Sequence, residues 1–166
     1  MYGFKKQQAS LSWKRRLYNK VFGKKNTFVP SILNVQTAFK FYTEVIEIKK
    51  VNPGEIVGYK GMYDARENLT IAILPYGFAD YGFISTSRVC INDKFYKIAT
   101  NYMDVTAVIV DDNVKLWDKV EIFGDKISIR EASQTAGVNA YKNLCSVTNR
   151  VPRVYKYKDK IKEVEN

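Results

Sequence analysis

Apolar and polar residues alternate in short segments along most of the chain, with the period of two that is typical of half-buried β-strands. The segment 39–48, FKFYTEVIEI, is rich in aromatic and β-branched residues and alternates cleanly from Thr43 onward. Asn52-Pro53-Gly54 follows as a turn, and Asn92-Asp93 is typical of a tight hairpin. We predict further strands at 55–59, 69–74, 87–91, 95–99, 105–110, 119–123, 142–147 and 153–157.

Two helices are predicted beside these strands. The first, from about Ser12 to Phe22, has an apolar face and a basic face. The second is short and starts after Ser128, which lies three residues before Glu131 in a capping-box pattern, with Gly137 as the C-terminal cap. The pattern therefore predicts a mainly β fold: a small closed or nearly closed antiparallel barrel with one short helix, and an N-terminal amphipathic helix.

Composition places the chain among soluble globular proteins with a full core. It has 166 residues, of which 46% are hydrophobic and 14% aromatic, enough for one domain. We expect a cytoplasmic protein, because no apolar run reaches the roughly 20 residues of a membrane span and no signal peptide is present. The two cysteines, Cys90 and Cys145, lack metal-ligand spacing and the chain has no histidine, so we expect no metal site. We favour buried, reduced thiols over a disulfide.

The net charge of +10 raises the question of an anionic partner. Part of the excess lies in the predicted N-terminal helix, at Lys14-Arg15-Arg16, Lys20 and Lys24-Lys25. Such a helix can lie on anionic lipid or on nucleic acid. It can also dock on its own domain and leave its basic face in solvent, which is the interpretation we favour.

Three motifs in order along the chain resemble those of one enzyme family. They are Val57-Gly58-Tyr59-Lys60-Gly61-Met62-Tyr63, Pro75-Tyr76-Gly77-Phe78-Ala79-Asp80, and the segment 139–155, NAYKNLCSVTNRVPRVY. They are similar to the Val-x-Tyr-Gly-x-x-Tyr, Pro-x-Gly-Tyr-Ala-Asp and Tyr-Glu-x-x-Cys…Arg-Val-Pro-Arg-x-Tyr motifs of bacterial alanine racemases. The resemblance extends over about 39–157 and concerns the C-terminal domain of that family.

The resemblance implies a Greek-key β barrel at 39–158, preceded by an extension at 1–38 with the basic helix and followed by a charged tail at 159–166. In the family an N-terminal eight-stranded α/β barrel holds pyridoxal phosphate as a Schiff base on a lysine. No segment here resembles that lysine motif, and 166 residues are fewer than the about 250 that such a barrel needs. We therefore expect the cofactor to be bound by a missing barrel domain and not by this chain alone.

The resemblance also implies roles for three residues. Tyr59 corresponds to the tyrosine base that one subunit supplies to the active site of its partner. Because a tyrosine has an unperturbed pKa near 10, it needs cationic neighbours, which the family draws from the barrel. Tyr141 corresponds to the tyrosine that donates a hydrogen bond to the cofactor phosphate and narrows the access channel. Met103, in a turn that resembles the Cys-Met-Asp of the family, corresponds to the residue whose amide binds the substrate carboxylate.

The chain departs from the family motifs at several positions. Phe78 replaces a tyrosine and lacks its hydroxyl, and Lys60 replaces the glycine after the catalytic tyrosine. Lys60 could lower the pKa of Tyr59 or obstruct the pocket. Tyr102 stands in place of the cysteine before Met103, and the basic residue upstream is replaced by Asn101 or Thr100.

The function implied is that of the C-terminal domain of a pyridoxal-phosphate-dependent alanine racemase, an isomerase that interconverts L- and D-alanine for peptidoglycan precursors. The expected partners are a barrel domain or second subunit and an amino-acid substrate, alanine or serine, without nucleic acid. The chain alone is expected to be inactive, as a truncated gene product, a split enzyme or an excised domain. The alternatives are a non-catalytic remnant that binds nucleic acid or an anionic membrane surface, and a vestigial domain without function.

Overall fold

The computed structural model describes residues 38–59, 63–82, 88–157 and 160–164. Contacts divide the chain into two compact units, Met1–Phe39 and Lys40–Asn166, and all but the end of the first lies outside the described residues. The second contains strands β1 (Phe41–Glu44), β2 (Glu47–Val51), β3 (Ile56–Val57), β4 (Tyr63–Asp64), β5 (Leu69–Leu74), β6 (Arg88–Ile91), β7 (Lys94–Asn101), β8 (Thr106–Val110), β9 (Lys119–Phe123), β10 (Arg153–Tyr157) and β11 (Lys160–Val164), and helices α1 (Ile129–Thr135) and α2 (Ala140–Cys145).

Seven strands form one curled antiparallel sheet in the order β1-β9-β6-β7-β8-β5-β2. Its two edge strands, β1 and β2, are neighbours in the chain and are joined by Val45 and Ile46. The Val45 amide donates to the Asp118 carbonyl at 3.1 Å, and the Ile46 amide donates to the Ile73 carbonyl at 2.9 Å. The chain thus changes from pairing with β9 to pairing with β5 within two residues, so the two edges of the sheet meet. The predicted mainly β, nearly closed architecture is confirmed. The predicted single strand at 39–48 is two strands because of this bend.

Strand β7 makes the second bend of the sheet. Its first half pairs with β6 and its second half with β8, with an irregularity between Ile98 and Thr100. The hairpin turn before it has positive φ at both Asn92 (49°) and Asp93 (62°), as a two-residue turn of this kind requires. This turn was correctly predicted from the sequence.

The interior of the sheet is filled by aromatic and branched side chains. The Phe41 ring packs edge-on against Tyr76, Tyr81 and Phe123, with ring centroids 5.6–5.7 Å apart. Aliphatic residues complete the fully buried set: Val45, Leu74, Val89, Ile91, Val108, Val120, Ile122, Ile127 and Ile129. Such edge-to-face ring pairs stabilise a core beyond the area that they bury.

Helix α1 begins as the sequence predicts. The Ser128 hydroxyl accepts a hydrogen bond from the Glu131 amide at 3.1 Å, and Gly137, with φ of 63°, follows the C-cap Ala136. On the sheet side, the Arg88 guanidinium donates to the Glu131 carboxylate through Nε (2.9 Å) and Nη2 (2.6 Å). The short helix is therefore fixed at its first turn.

The predicted strand at 142–147 is wrong, because this segment forms helix α2. The Asn139 side chain caps it by accepting from the Tyr141 amide (2.8 Å) and the Lys142 amide (3.3 Å). Asn143 is fully buried; its Oδ1 accepts a hydrogen bond from the Tyr81 hydroxyl, and its side-chain Nδ2 donates to Ser133 Oγ at 3.0 Å. A buried polar partner and a local cap decide the helix, and neither is visible in an alternation pattern. The part of the chain that the structure describes thus has two short helices after the sheet and not one.

Other boundaries also differ from the predictions. The charged tail predicted at 159–166 contains strand β11, which pairs with β10 in a separate two-stranded sheet. The predicted strand at 55–59 shortens to β3. Cys90 is buried as expected, whereas Cys145 is exposed, which corrects its predicted burial; both are free thiols. The basic helix predicted at 12–22 lies outside the described residues, and no described helix is long and apolar enough to cross a membrane.

Candidate functional site

Two turns lie against each other where β5 ends and β8 begins. The Phe78 amide donates to the Tyr102 carbonyl and the Ala79 amide donates to the Met103 carbonyl, both at 3.0 Å. Gly77 allows this approach, since a Cβ at that position would lie 2.2 Å from the Met103 oxygen. The motif at 75–80 and the turn at 102–105 are therefore docked through backbone atoms.

The closing motif binds to the same pair of turns. Thr148 donates its amide to the Asp80 carbonyl (2.9 Å) and its hydroxyl to the Ala79 carbonyl (3.0 Å). Arg150 forms ion pairs with Asp80 (3.2 Å) and with Asp104 (2.6 Å). We call this assembly, made of 57–59, 75–80, 102–105 and 148–150, the motif end of the molecule.

Tyr59 lies at the surface of the motif end. It follows β3 and Gly58, whose φ of 106° turns the chain out of the strand. The Tyr59 side chain is 57% exposed, and its ring packs edge-on against Tyr102 with centroids 5.0 Å apart and an interplanar angle of 70°. The phenol is therefore positioned by one aromatic neighbour and accessible to a second molecule.

Met103 and Tyr141 are also half-exposed, but they occupy different elements. Met103 lies in the turn beside Tyr102, so its thioether is outside the core and close in the chain to the Tyr59 contact. Tyr141 lies in the first turn of α2, which is anchored to the end of the 75–82 segment by the buried hydrogen bond between Asn143 and Tyr81. Tyr59 thus contacts the residue that precedes Met103, and Tyr141 is tethered to the 75–82 segment through α2.

Two departures from the family motifs, Phe78 and Tyr102, lie in the motif end. Phe78 is half-exposed, so the ring without a hydroxyl faces outward, where a tyrosine would present a donor. Tyr102, in the place of a cysteine, supplies the ring that contacts Tyr59. Lys60 lies outside the described residues.

Three side chains, Arg150, Asp80 and Asp104, carry the charges of the motif end. Hydrogen bonding to Asp104, together with the nearby charge of Asp80, raises the pKa of Arg150. Asp80 is buried, and its Oδ2 also accepts from the Gly77 amide at 2.9 Å. Burial raises the pKa of both Tyr76 and Tyr81, so neither phenol acts as a base. The Tyr81 hydroxyl donates to Asn143, and the Tyr76 ring packs against Phe41.

Sequence reasoning assigned no role to Arg150, Asp80 or Asp104. Asp80 and Arg150 lie inside matched motifs and Asp104 lies in the turn that resembles Cys-Met-Asp, but no signal in the sequence indicates that this cation and these two anions meet. Their pairing spans up to 70 positions of the chain and follows from the fold and not from local spacing.

Comparisons with known proteins agree with these motifs. The family model for the C-terminal domain of alanine racemase matches residues 38–155. Among curated relatives, the chain is 33% identical over 129 residues to the alanine racemase of Borreliella burgdorferi and 36% identical over 133 residues to that of Chlorobaculum tepidum. These matches cover 74% and 75% of this chain but 35% and 34% of the relatives, so the chain spans about a third of their length.

Solved structures give the same result. Alanine racemase from Clostridium difficile 630 superposes with a TM-score of 0.71 and 28% identity, over 78% of this chain and 36% of that one. The enzyme from Bacillus anthracis superposes with a TM-score of 0.74 and 25% identity, over 80% and 36%. With a family model that matches most of its length, the chain belongs to the alanine racemase C-terminal domain family.

Proposed function

We propose that this chain supplies one half of an alanine racemase active site, with Tyr59 as the base on one face of the substrate. One observation carries the proposal: the half-exposed Tyr59 ring lies beside Tyr102 and the Met103 turn, at the surface where the matched motifs meet. A phenol in this place is held by its neighbour and open to a second component. Had Tyr59 been inside the barrel, this role would have been ruled out.

The exposed groups of the chain fit pyridoxal phosphate in part. Tyr141, half-exposed, can donate its hydroxyl hydrogen to a phosphate oxygen without ionising. No described segment resembles the lysine motif of the family, so Tyr141 would contact the cofactor and another domain would carry it. When bound, the cofactor supplies an electron sink that acidifies the Cα–H of an amino acid.

The residues of this chain then have three tasks. Tyr59 Oη accepts or returns the proton on one face of the substrate Cα, which requires nearby cations to stabilise the phenolate. The Met103 amide binds the substrate carboxylate, and the ring of Tyr102 keeps Tyr59 from rotating away. The reaction is the interconversion of L- and D-alanine, whose product enters peptidoglycan precursors in the cytoplasm.

The remaining components come from a barrel domain. Since the chain spans about a third of its relatives, we assign the lysine and the cations beside Tyr59 to an N-terminal barrel, on a partner subunit across a dimer interface. The domain boundaries at 38 and 158 are part of the same proposal.

Complementation tests this function. The chain is mixed or fused with the barrel domain of a related alanine racemase, and conversion of L- to D-alanine is measured with added pyridoxal phosphate. We expect turnover in the mixture, and a loss of about 100-fold or more for Tyr59→Phe, as for removal of a general base. Tyr157→Phe, an equally conservative change at an exposed strand tyrosine, is the control. If Tyr59→Phe were as active as the unmutated chain, Tyr59 would not be the base.

The alternative of a basic binding module depends on the helix predicted at 12–22, which lies outside the described residues. It remains a prediction. Binding to single- or double-stranded nucleic acid that weakens steeply with salt would support it, and no retention on heparin at low salt would count against it.

A further inference from the structure

The Arg150 guanidinium joins two carboxylates from distant parts of the chain. Its Nη2 donates to Asp104 Oδ1 at 2.6 Å, and its Nε lies 3.2 Å from Asp80 Oδ1. Asp104 is largely exposed, whereas Asp80 is buried. The guanidinium therefore connects an exposed turn to a fixed point inside the motif end.

Asp80 is a suitable anchor because its own position is determined by backbone atoms. Its Oδ2 accepts from the Gly77 amide at 2.9 Å, and its carbonyl accepts from the Thr148 amide at 2.9 Å. The Asp104 side chain has a hydrogen bond to Arg150 at 2.6 Å. Loss of Arg150 would release the exposed side of the 102–105 turn while leaving Asp80 in place.

We propose that Arg150 is a positioning residue, which holds the 102–105 turn in the geometry that presents Met103 to the substrate and Tyr102 to Tyr59. The inference rests on the proposed function, in which the Met103 amide receives the substrate carboxylate. Arg150 also offsets one of the two negative charges, on Asp80 and Asp104, beside the place where that carboxylate binds. Without it, an anionic substrate would approach two uncompensated carboxylates.

The chemistry of the side chain explains why arginine occupies this position. A planar guanidinium directs separate N–H groups at two carboxylates from one fixed fork, here Nε at Asp80 and Nη2 at Asp104. A lysine ammonium is a point charge and does not reproduce this fork, although it restores the charge. Arg150→Lys should therefore recover the electrostatic part of the role and only part of the geometric one.

The first test needs no enzymatic activity. Amide hydrogen exchange is measured by NMR on the full chain and on Arg150→Met, at Phe78 and Ala79, whose amides bond to the carbonyls of Tyr102 and Met103. We expect exchange at these two amides to be about tenfold faster in Arg150→Met, since their bonds open when the turn is released. Arg88→Met is the matched control, because it removes a similarly exposed arginine from Glu131, away from the motif end.

The second test uses the assembled enzyme. For Arg150→Met we expect KM for alanine to rise about tenfold with kcat changed less than threefold, because substrate binding is weakened and Tyr59 is retained. Arg150→Lys should give an intermediate KM, and Arg88→Met should leave both constants at their original values. A variant that only lowered folding stability would reduce the active fraction, and so kcat, without changing KM.

The outcomes separate this inference from the proposed function. Unchanged exchange at Phe78 and Ala79, or an unchanged KM in an active assembly, overturns the role of Arg150. An inactive assembly of the unmutated chain counts against the proposed function alone, and the exchange result then decides whether Arg150 holds the turn.

Discussion

The two ends of the barrel are held together by different kinds of interaction. At the motif end, the hydrogen bonds run between segments far apart in the chain, as from Thr148 to Asp80 and from Arg150 to Asp104. At the opposite end of β7 and β8, which we call the hairpin end (92–94 and 111–118), aspartates cap their own turns beside longer-range bonds such as that from the Trp117 amide to the Val45 carbonyl at 2.8 Å. Asp111 accepts from the Asn113 amide at 3.0 Å, and Asp118 accepts from the Lys115 amide at 2.9 Å.

The difference teaches where function can be located in such a fold. The hairpin end combines long-range bonds with short-range turn chemistry, and its turn residues can be predicted from the sequence. The motif end combines four segments and leaves Tyr59, Phe78 and Met103 half-exposed. Its two aspartates, Asp80 and Asp104, both form ion pairs with Arg150. A surface assembled from distant segments with exposed apolar groups is the one suited to a second component.

Gly77→Ala should break the motif end most severely. A Cβ at Gly77 would lie 2.2 Å from the Met103 oxygen and 2.4 Å from the Tyr102 oxygen, so the two turns must separate. We expect a loss of about 3 kcal/mol in the free energy of unfolding, measured with denaturant. Gly82→Ala is the control, because its Cβ would meet only the Ser146 Cβ at 3.9 Å. Equal stability of the two variants would show that the turns are not tightly docked.

Trp117→Gly should stabilise the hairpin end. Trp117 has φ of 70°, a left-handed conformation that is costly for a bulky residue, and its side chain is 66% exposed. Glycine should raise the free energy of unfolding by about 1 kcal/mol, since the strain disappears and few contacts are lost. Trp117→Ala keeps the Cβ and so the strain, and it should show no gain. A Trp117→Gly protein less stable than Trp117→Ala would mean that the ring makes essential contacts.

Asp111 makes the hairpin end sensitive to acid. A hydrogen bond from Lys94, with further bonds from the Asn113 amide and Tyr96, lowers the pKa of Asp111 to about 2. Since the unfolded value is near 3.9, ionised Asp111 stabilises the fold above about pH 4, and this contribution is lost as the pH falls toward 2. Thermal unfolding from pH 5 to pH 2 should therefore show the difference between Asp111→Asn and the original protein shrinking. A difference that stays constant from pH 5 to pH 2 would contradict the assignment.

The sequence predicts the architecture well where local chemistry decides it. The strands at 69–74 and 119–123, the Asn92-Asp93 turn and the Ser128 cap were all correctly placed, because alternation, turn residues and caps act within a few positions. The failures have long-range causes. The segment at 142–147 is a helix because buried Asn143 pairs with Tyr81, and the 39–48 segment is two strands because the barrel closes at Val45 and Ile46.

The candidate site was less accessible to sequence reasoning. Tyr59, Met103 and Tyr141 were named through resemblance to a family and not from the pattern of the chain, and their roles remain predictions. The contact between Tyr59 and Tyr102, and the pairing of Arg150 with Asp80 and Asp104, depend on strands that bring distant turns together. Contacts of this kind between distant turns cannot be predicted from the spacing of residues along the chain.

The central claim is that Tyr59 serves one face of the substrate and not the other. Solvent deuterium incorporation at Cα, measured separately for L- and D-alanine in the assembled enzyme with Tyr59→Phe, tests it most directly. The account predicts that one enantiomer still exchanges its Cα hydrogen at close to the original rate, whereas the other loses exchange by about 100-fold or more. Equal rates for both enantiomers, whether unchanged or equally reduced, would contradict it.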